Sequence, residues 1–172
     1  MSTRAKLITV LSIVAVLIVA TLLYFVFSNP VSDTLDWTMT AYQITADGAV
    51  ENSFSMTING SILNKNNKTY LSLNVSLPDS FRYMFDDAAP DGDPVTGITA
   101  GGDLLAASYT YDREENTPAF CNYAINAEKG YFIAWWGEDW RDCLVAATDP
   151  TTTPADIMTH FEENWKTLPS AK

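Results

Sequence analysis

Histidine and cysteine are scarce in this sequence, which holds one histidine and two cysteines. A serine triad that uses histidine has little support, because no motif surrounds His160. The two cysteines, Cys121 and Cys143, are too far apart for a C-x-x-C redox motif, and with His160 they do not make a zinc site. Glycine-rich phosphate loops and nucleotide-binding motifs are absent as well. The sequence therefore favours a noncatalytic function over an enzyme.

Basic residues are also few, since 10 lysines and arginines stand against 21 acidic residues and give a formal net charge of -11. All the acidic residues lie from Asp33 onward, so the body of the chain is more negative than the whole. This charge argues against nucleic acid and anionic lipid as partners. It suits a cationic partner or a divalent metal, although solubility alone also explains it.

Charged residues are missing altogether from residues 7–27, an apolar run of 21 residues. At about 1.5 Å per residue a helix of this length crosses the hydrocarbon core of a bilayer, which is about 30 Å thick. Arg4 and Lys6 precede the run, and the next basic residue is Lys65. Because basic residues stay in the cytoplasm, the pattern predicts a single-pass anchor with the N-terminus inside. A signal peptide cleaved after Ser28 is the alternative.

The predicted organisation has four parts: a cytoplasmic tail at 1–6, a transmembrane anchor at 7–27, a tether at 28–35 and one extracytoplasmic domain at 36–172. The last part is about one domain long, enough for a single hydrophobic core. We therefore predict a cell-membrane protein whose C-terminal domain lies outside the cell.

Strand-like alternation is clearest at residues 71–77, where Leu71, Leu73, Val75 and Leu77 alternate with polar residues. A strand with one face buried and the other exposed to solvent is typical of antiparallel sheets. Similar segments occur at residues 36–46, 54–62, 104–111, 119–126, 131–136 and 143–148. Between them, residues 78–102 form a long connection with an aromatic turn at 81–85.

A helix is predicted near the end of the chain. Thr153 can cap it, Pro154 suits its first position, and Ile157, Phe161, Trp165 and Leu168 form one apolar stripe. The predicted fold class is therefore α+β: a transmembrane helix, then an antiparallel β-meander or sandwich-like domain of about seven strands, covered by a C-terminal amphipathic helix.

Cys121 and Cys143 both fall in predicted strands of a domain placed outside the cytoplasm. Oxidising conditions there permit a disulfide between them, which we predict. The alternative is two buried thiols that act as small hydrophobes.

Four aspartates, Asp86, Asp87, Asp91 and Asp93, stand beside glycine and proline in the long connection. Carboxylate oxygens and tight bends are what a calcium loop needs, but the spacing matches no EF-hand. A solvated loop with turn-forming aspartates is the favoured interpretation, with calcium as the alternative. No other cofactor is predicted.

Aromatic and carboxylate groups are dense between Tyr131 and Cys143. Trp135 and Trp136 must point to opposite faces of a strand. An indole face stacks on a sugar ring while carboxylates and a guanidinium bind its hydroxyls, so an exposed arrangement would bind a glycan. The candidate binding residues are Trp136, Glu138, Asp139, Trp140 and Arg141, and ordinary sheet core and turn is the favoured alternative.

These observations predict a noncatalytic, membrane-anchored extracytoplasmic domain that binds a protein or glycan partner or supports an envelope assembly. The alternative is an extracytoplasmic hydrolase that uses carboxylates as acid and base. A concave pocket with two facing acidic groups would favour the hydrolase.

Overall fold

Alternation of apolar and polar residues runs through much of the chain, and most of the residues that the structure describes form strands. The computed structural model describes residues 14–21, 31–65, 68–85, 95–100 and 102–165. Nine strands lie in this part of the chain: β1 (Val31–Ile44), β2 (Val50–Lys65), β3 (Lys68–Ser76), β4 (Tyr83–Phe85), β5 (Val95–Ala100), β6 (Asp103–Asp112), β7 (Thr117–Asn126), β8 (Tyr131–Trp135) and β9 (Cys143–Ala147).

The strands form one antiparallel sheet in the order β4-β6-β5-β3-β2-β1-β9-β8-β7, and β7 also pairs with β6. Eight strands therefore close on themselves as a barrel, while short β4 lies beside the second half of β6. The closing strands β1 and β9 pair from Thr40 with Ala147 to Ile44 with Cys143. The predicted α+β class with an open meander or sandwich is wrong, because the described residues are mostly β and form a closed barrel. Alternation assigns the two faces of each strand but does not reveal that the last strand returns to the first.

The interior of the barrel is filled by side chains, as an eight-stranded barrel is narrow enough to allow. Alternate residues of every long strand point inward and are buried. The largest of them include Phe132, Met56, Ile58, Leu71 and Ile125, each less than 2% exposed.

Aromatic side chains close the end of the barrel at which β1 ends. We call this cluster the aromatic plug, and it consists of Phe54, Phe81, Tyr83, Phe85 and Trp136. Neighbouring ring centroids lie 4.3 to 6.2 Å apart, within the range of favourable aromatic pairs. The aromatic turn predicted at residues 81–85 thus belongs to the core.

Two arginines hold the plug segment to the end of β6. The Arg82 guanidinium donates from Nε and Nη2 to the Asp112 carboxylate at 2.9 and 2.6 Å. This pairing holds the pKa of Asp112 below its usual value. Arg113 Nη1 donates to the carbonyl oxygens of Pro78 and Phe81, both at 3.0 Å.

The predicted C-terminal helix is present at Pro154–Trp165. Asp156 accepts hydrogen bonds from the N–H and hydroxyl groups of Thr153, which caps the first turn. Buried Ile157 and Phe161 pack on the outer faces of β8 and β9. All five residues of β9 are therefore buried, because the barrel core covers one face and the helix covers the other. Leu168 lies outside the described residues.

The single-pass anchor predicted at residues 7–27 is not supported by the structure. Residues 14–21 are helical, and the rest of the predicted span lies outside the described residues. In the part of the chain that the structure describes, no helix combines the length and apolar character required to cross a membrane. The predicted single-pass topology and cell-membrane location are corrected accordingly.

The predicted disulfide is also wrong, since Cys121 and Cys143 are both free and buried. Cys121 on β7 points into the barrel, whereas Cys143 on β9 points outward beneath the helix. Strand β8 separates them, and two strand spacings are about 10 Å, beyond the reach of a disulfide. Burial raises the pKa of both thiols, that of Cys143 to about 12, so both stay protonated and unreactive.

Gly60 lies on β2 beside β3, where the neighbouring backbone leaves no room for a side chain. A Cβ atom at this position would overlap the backbone carbonyl oxygen of Ser72, which cannot move without breaking the ladder. We expect Gly60→Ala to lower the free energy of unfolding by about 2 kcal/mol or more, measured by urea denaturation. Gly137→Ala is the control, because a Cβ there meets nothing closer than 4.0 Å. Equal unfolding midpoints for the two variants would contradict the close packing of β2 and β3.

Candidate functional site

The segment that follows β8 carries the predicted binding residues, and the barrel wall divides them. Trp135 points outward and packs against Trp165 of the helix, with ring centroids 5.0 Å apart. Trp136 points inward, stacks on Tyr83 at 4.3 Å, and donates its indole N–H to the Thr110 hydroxyl at 2.7 Å. Trp136 is thus a member of the plug, and the predicted pairing of Trp136 with Trp140 in one sugar platform does not form.

Trp140 lies on the outside of the barrel, half-buried, with its ring edge-to-face against Trp165 at 5.4 Å. Together with Arg141 it lines a groove between the C-terminal helix and the β1–β2 turn, with a volume of about 610 Å³. We call it the helix groove, and its lining residues are Ile44, Gly48, Val50, Trp140, Arg141, Thr153, Pro154, Ala155, Met158, Thr159 and Glu162. It therefore contains two of the five predicted binding residues.

Two further candidates, Glu138 and Asp139, are exposed and do not line the helix groove. Asp139 accepts hydrogen bonds from the backbone N–H of Arg141 at 3.1 Å and pairs with its Nε at 3.3 Å. Asp139 thus shapes the turn that presents Arg141. Glu138 forms no hydrogen bond or ion pair with another described residue.

The walls of the helix groove are mostly apolar because three elements contribute apolar side chains to its lining. Ile44 ends β1, Val50 begins β2, and Met158 faces sideways from the second turn of the helix. Arg141 and Glu162 add one positive and one negative group. Such a groove has the size and character of a ligand site, which is commonly 300–1,000 Å³ and apolar with a few polar groups.

Asp86, Asp87, Asp91 and Asp93, the predicted calcium ligands, lie outside the described residues. The calcium site therefore stays a prediction. Among residues that the structure does describe, no three histidines, cysteines or carboxylates are grouped to hold a metal ion.

A buried polar network around Asp103 is the main feature that the sequence did not predict. Asp103, 1% exposed at the start of β6, accepts hydrogen bonds from three side chains. Asn126 and His160 Nε2 donate to its Oδ1 at 2.7 and 2.8 Å, and Asn164 donates to its Oδ2 at 2.7 Å. The helix is thereby held to β6 and β7.

Lys129 completes this network on its exposed side. Its ammonium Nζ lies 2.9 Å from His160 Nδ1 and must donate, because an ammonium has no acceptor. Nδ1 therefore accepts, and the imidazole proton is on Nε2 and faces Asp103. The network contains no hydroxyl or thiol nucleophile, so it works as a clamp for the helix.

No family model, no curated protein and no solved structure matches this chain.

Removing the charge of Asp103 tests the clamp. Asp103→Asn places an amide N–H₂ group among three donors and leaves at least one buried group unpaired. We expect the free energy of unfolding to fall by about 1–3 kcal/mol. Asp36→Asn is the control, because Asp36 is an exposed residue of β1. We expect the free energy of unfolding of this variant to stay within about 0.5 kcal/mol of the parent. Equal stability of the two variants in urea would contradict the clamp.

Proposed function

We propose that this chain is a noncatalytic binding domain that holds an apolar segment of a partner protein in the helix groove. The observation that carries the proposal is the helix groove itself, a concavity of about 610 Å³ walled by two strand ends, one turn and one helix. Rigid elements supply most of the walls, which favours binding in a preformed site.

A protein segment fits this groove better than a glycan. Sugar recognition of the predicted kind places an indole face beside carboxylates, but Trp136 is inside the barrel, and Glu138 and Asp139 do not line the groove beside Trp140. The apolar lining residues Ile44, Val50 and Met158 offer contact to apolar side chains and no hydrogen bonds to sugar hydroxyls. Leucine, methionine or phenylalanine side chains of a partner complement such walls.

The negative charge of the chain favours basic residues on either side of the bound apolar residue. The net charge of -11 attracts basic partners over long distance, and Glu162 lies in the groove wall. An apolar residue flanked by lysine or arginine therefore has the chemistry that the groove selects.

The hydrolase alternative lacks support in this groove. Glu162 is the only carboxylate among its described lining residues, whereas acid–base hydrolysis needs a facing pair. Binding without chemistry is the function that these residues favour.

Selection of displayed random peptides on the immobilised protein tests the proposal. We expect enrichment of peptides with a large apolar residue next to lysine or arginine. Synthetic versions should bind the Val50→Lys variant about tenfold more weakly, a loss of about 1.4 kcal/mol, because a cation then stands in the groove.

Ile98→Lys is the matched control, because it makes the same charge change at an exposed strand residue outside the groove. Val50 is 53% exposed and Ile98 64%, so neither variant disturbs the core. Selected peptides should bind Ile98→Lys within about twofold of the parent. Equal loss in both variants, or enrichment of no apolar sequence, would overturn the proposal.

A further inference from the structure

A second concavity lies at the opposite end of the barrel from the aromatic plug. We call it the mouth pocket; its volume is about 480 Å³, and it is lined by Asp33, Thr34, Leu35, Trp37, Gly102, Ala127 and Glu128. Two parts of its wall are loop residues: Gly102 from the β5–β6 connection, and Ala127 and Glu128 from the β7–β8 turn. The third part is the beginning of β1.

The alternation of side chains along β1 determines which of them point into the mouth pocket. Asp33, Leu35 and Trp37 are each two residues apart, so they share the inward face of the strand. Leu35 is buried and Trp37 half-buried against the barrel core, whereas Asp33 is exposed at the rim. The pocket thus has an apolar floor with an indole and an acidic rim.

The two carboxylates of this pocket have no partners among the described residues. The side chains of Asp33 and Glu128 form no ion pair or hydrogen bond with them, although ten other described aspartate or glutamate side chains do. The Trp37 indole N–H likewise has no acceptor there, in contrast to that of Trp136. Two carboxylates from different elements and one indole therefore line the same pocket, and none of the three has a polar partner among the described residues.

We propose that the mouth pocket binds a small organic cation, an amine or a quaternary ammonium ion. A cation is attracted to the face of an indole and to carboxylates, while its carbon substituents gain contact with Leu35. The strongly negative chain raises the local concentration of cations around the rim.

The mouth pocket suits cation binding better than hydrolysis by a pair of carboxyl groups. Glycoside hydrolysis needs one carboxyl group kept protonated by an apolar setting. Asp33 and Glu128 are both exposed instead. Their charge is available to a bound cation.

This inference is independent of the proposed function, because the mouth pocket shares no residue with the helix groove. Failure of peptide binding and failure of cation binding are therefore separate results.

Titration with choline tests the inference, and its neutral isostere 3,3-dimethylbutan-1-ol is the ligand control. Each of the five tryptophans gives one indole N–H signal in a ¹⁵N-labelled sample, and Trp37→Phe assigns the relevant one. We expect choline to shift the Trp37 signal in a saturable way, and the neutral alcohol at the same concentration to leave it unchanged.

The double variant Asp33→Asn, Glu128→Gln should raise the dissociation constant for choline about tenfold. Asp36 is exposed on the opposite face of β1 and does not line the pocket, so Asp36→Asn should change this constant by less than twofold. Because all three positions are exposed, unchanged tryptophan signals in the free variants verify folding. Equal binding of the neutral alcohol, an unchanged dissociation constant in the double variant, or a saturable shift confined to other tryptophans would overturn the proposal.

Discussion

The pairing of β1 with β9 is the constraint on which the rest of the structure depends. Five residues of each strand, from Thr40 to Ile44 and from Cys143 to Ala147, join the first strand of the chain to the last and so close the barrel. Without this ladder both strands would expose unpaired backbone groups at sheet edges, which are prone to pair with other chains. With it, the inward faces of eight strands enclose one core.

Closure also determines where the helix lies and therefore where ligands can bind. Strands β8 and β9 carry apolar residues on both faces, so their outer faces need a cover, which Ile157 and Phe161 provide. Hydrogen bonds from His160 and Asn164 to Asp103 also hold the helix to β6. The helix groove lies between this helix and the β1–β2 turn. The mouth pocket lies separately, at the end of the barrel opposite the aromatic plug.

Local patterns predicted seven of the nine described strands and the C-terminal helix, but they missed β4 and β5 in the predicted connection at residues 78–102 and did not predict contacts between distant residues. Alternation of Leu71, Leu73 and Val75 placed β3 correctly, and the spacing of Ile157 and Phe161 placed the helix, since both signals come from neighbouring residues. Closure joins strands about 100 residues apart, and His160 meets Asp103 across 57 residues, so no local signal marks either contact. The same limit explains the wrong prediction of a disulfide. The sequence places Cys121 and Cys143 in strands, but it does not show that β8 lies between these two strands in the sheet.

The sequence predicted only part of the candidate site, for a related reason. Trp140 and Arg141 follow a strand and could be assigned to a turn, and they line the helix groove. Trp136 was placed beside them because its partners, Tyr83 and Thr110, come from distant strands. The mouth pocket combines β1 with two loops, and nothing in the sequence links Asp33 to Glu128.

The most direct test of the account is nuclear Overhauser spectroscopy of the backbone combined with amide hydrogen exchange. A closed barrel gives cross-strand contacts between residues 40–44 and residues 143–147 in the register of Tyr42 with Val145, and slowly exchanging amides in both strands. Absence of these contacts, with rapid exchange along β1 and β9, would contradict closure and with it the positions of the helix, the groove and the pocket.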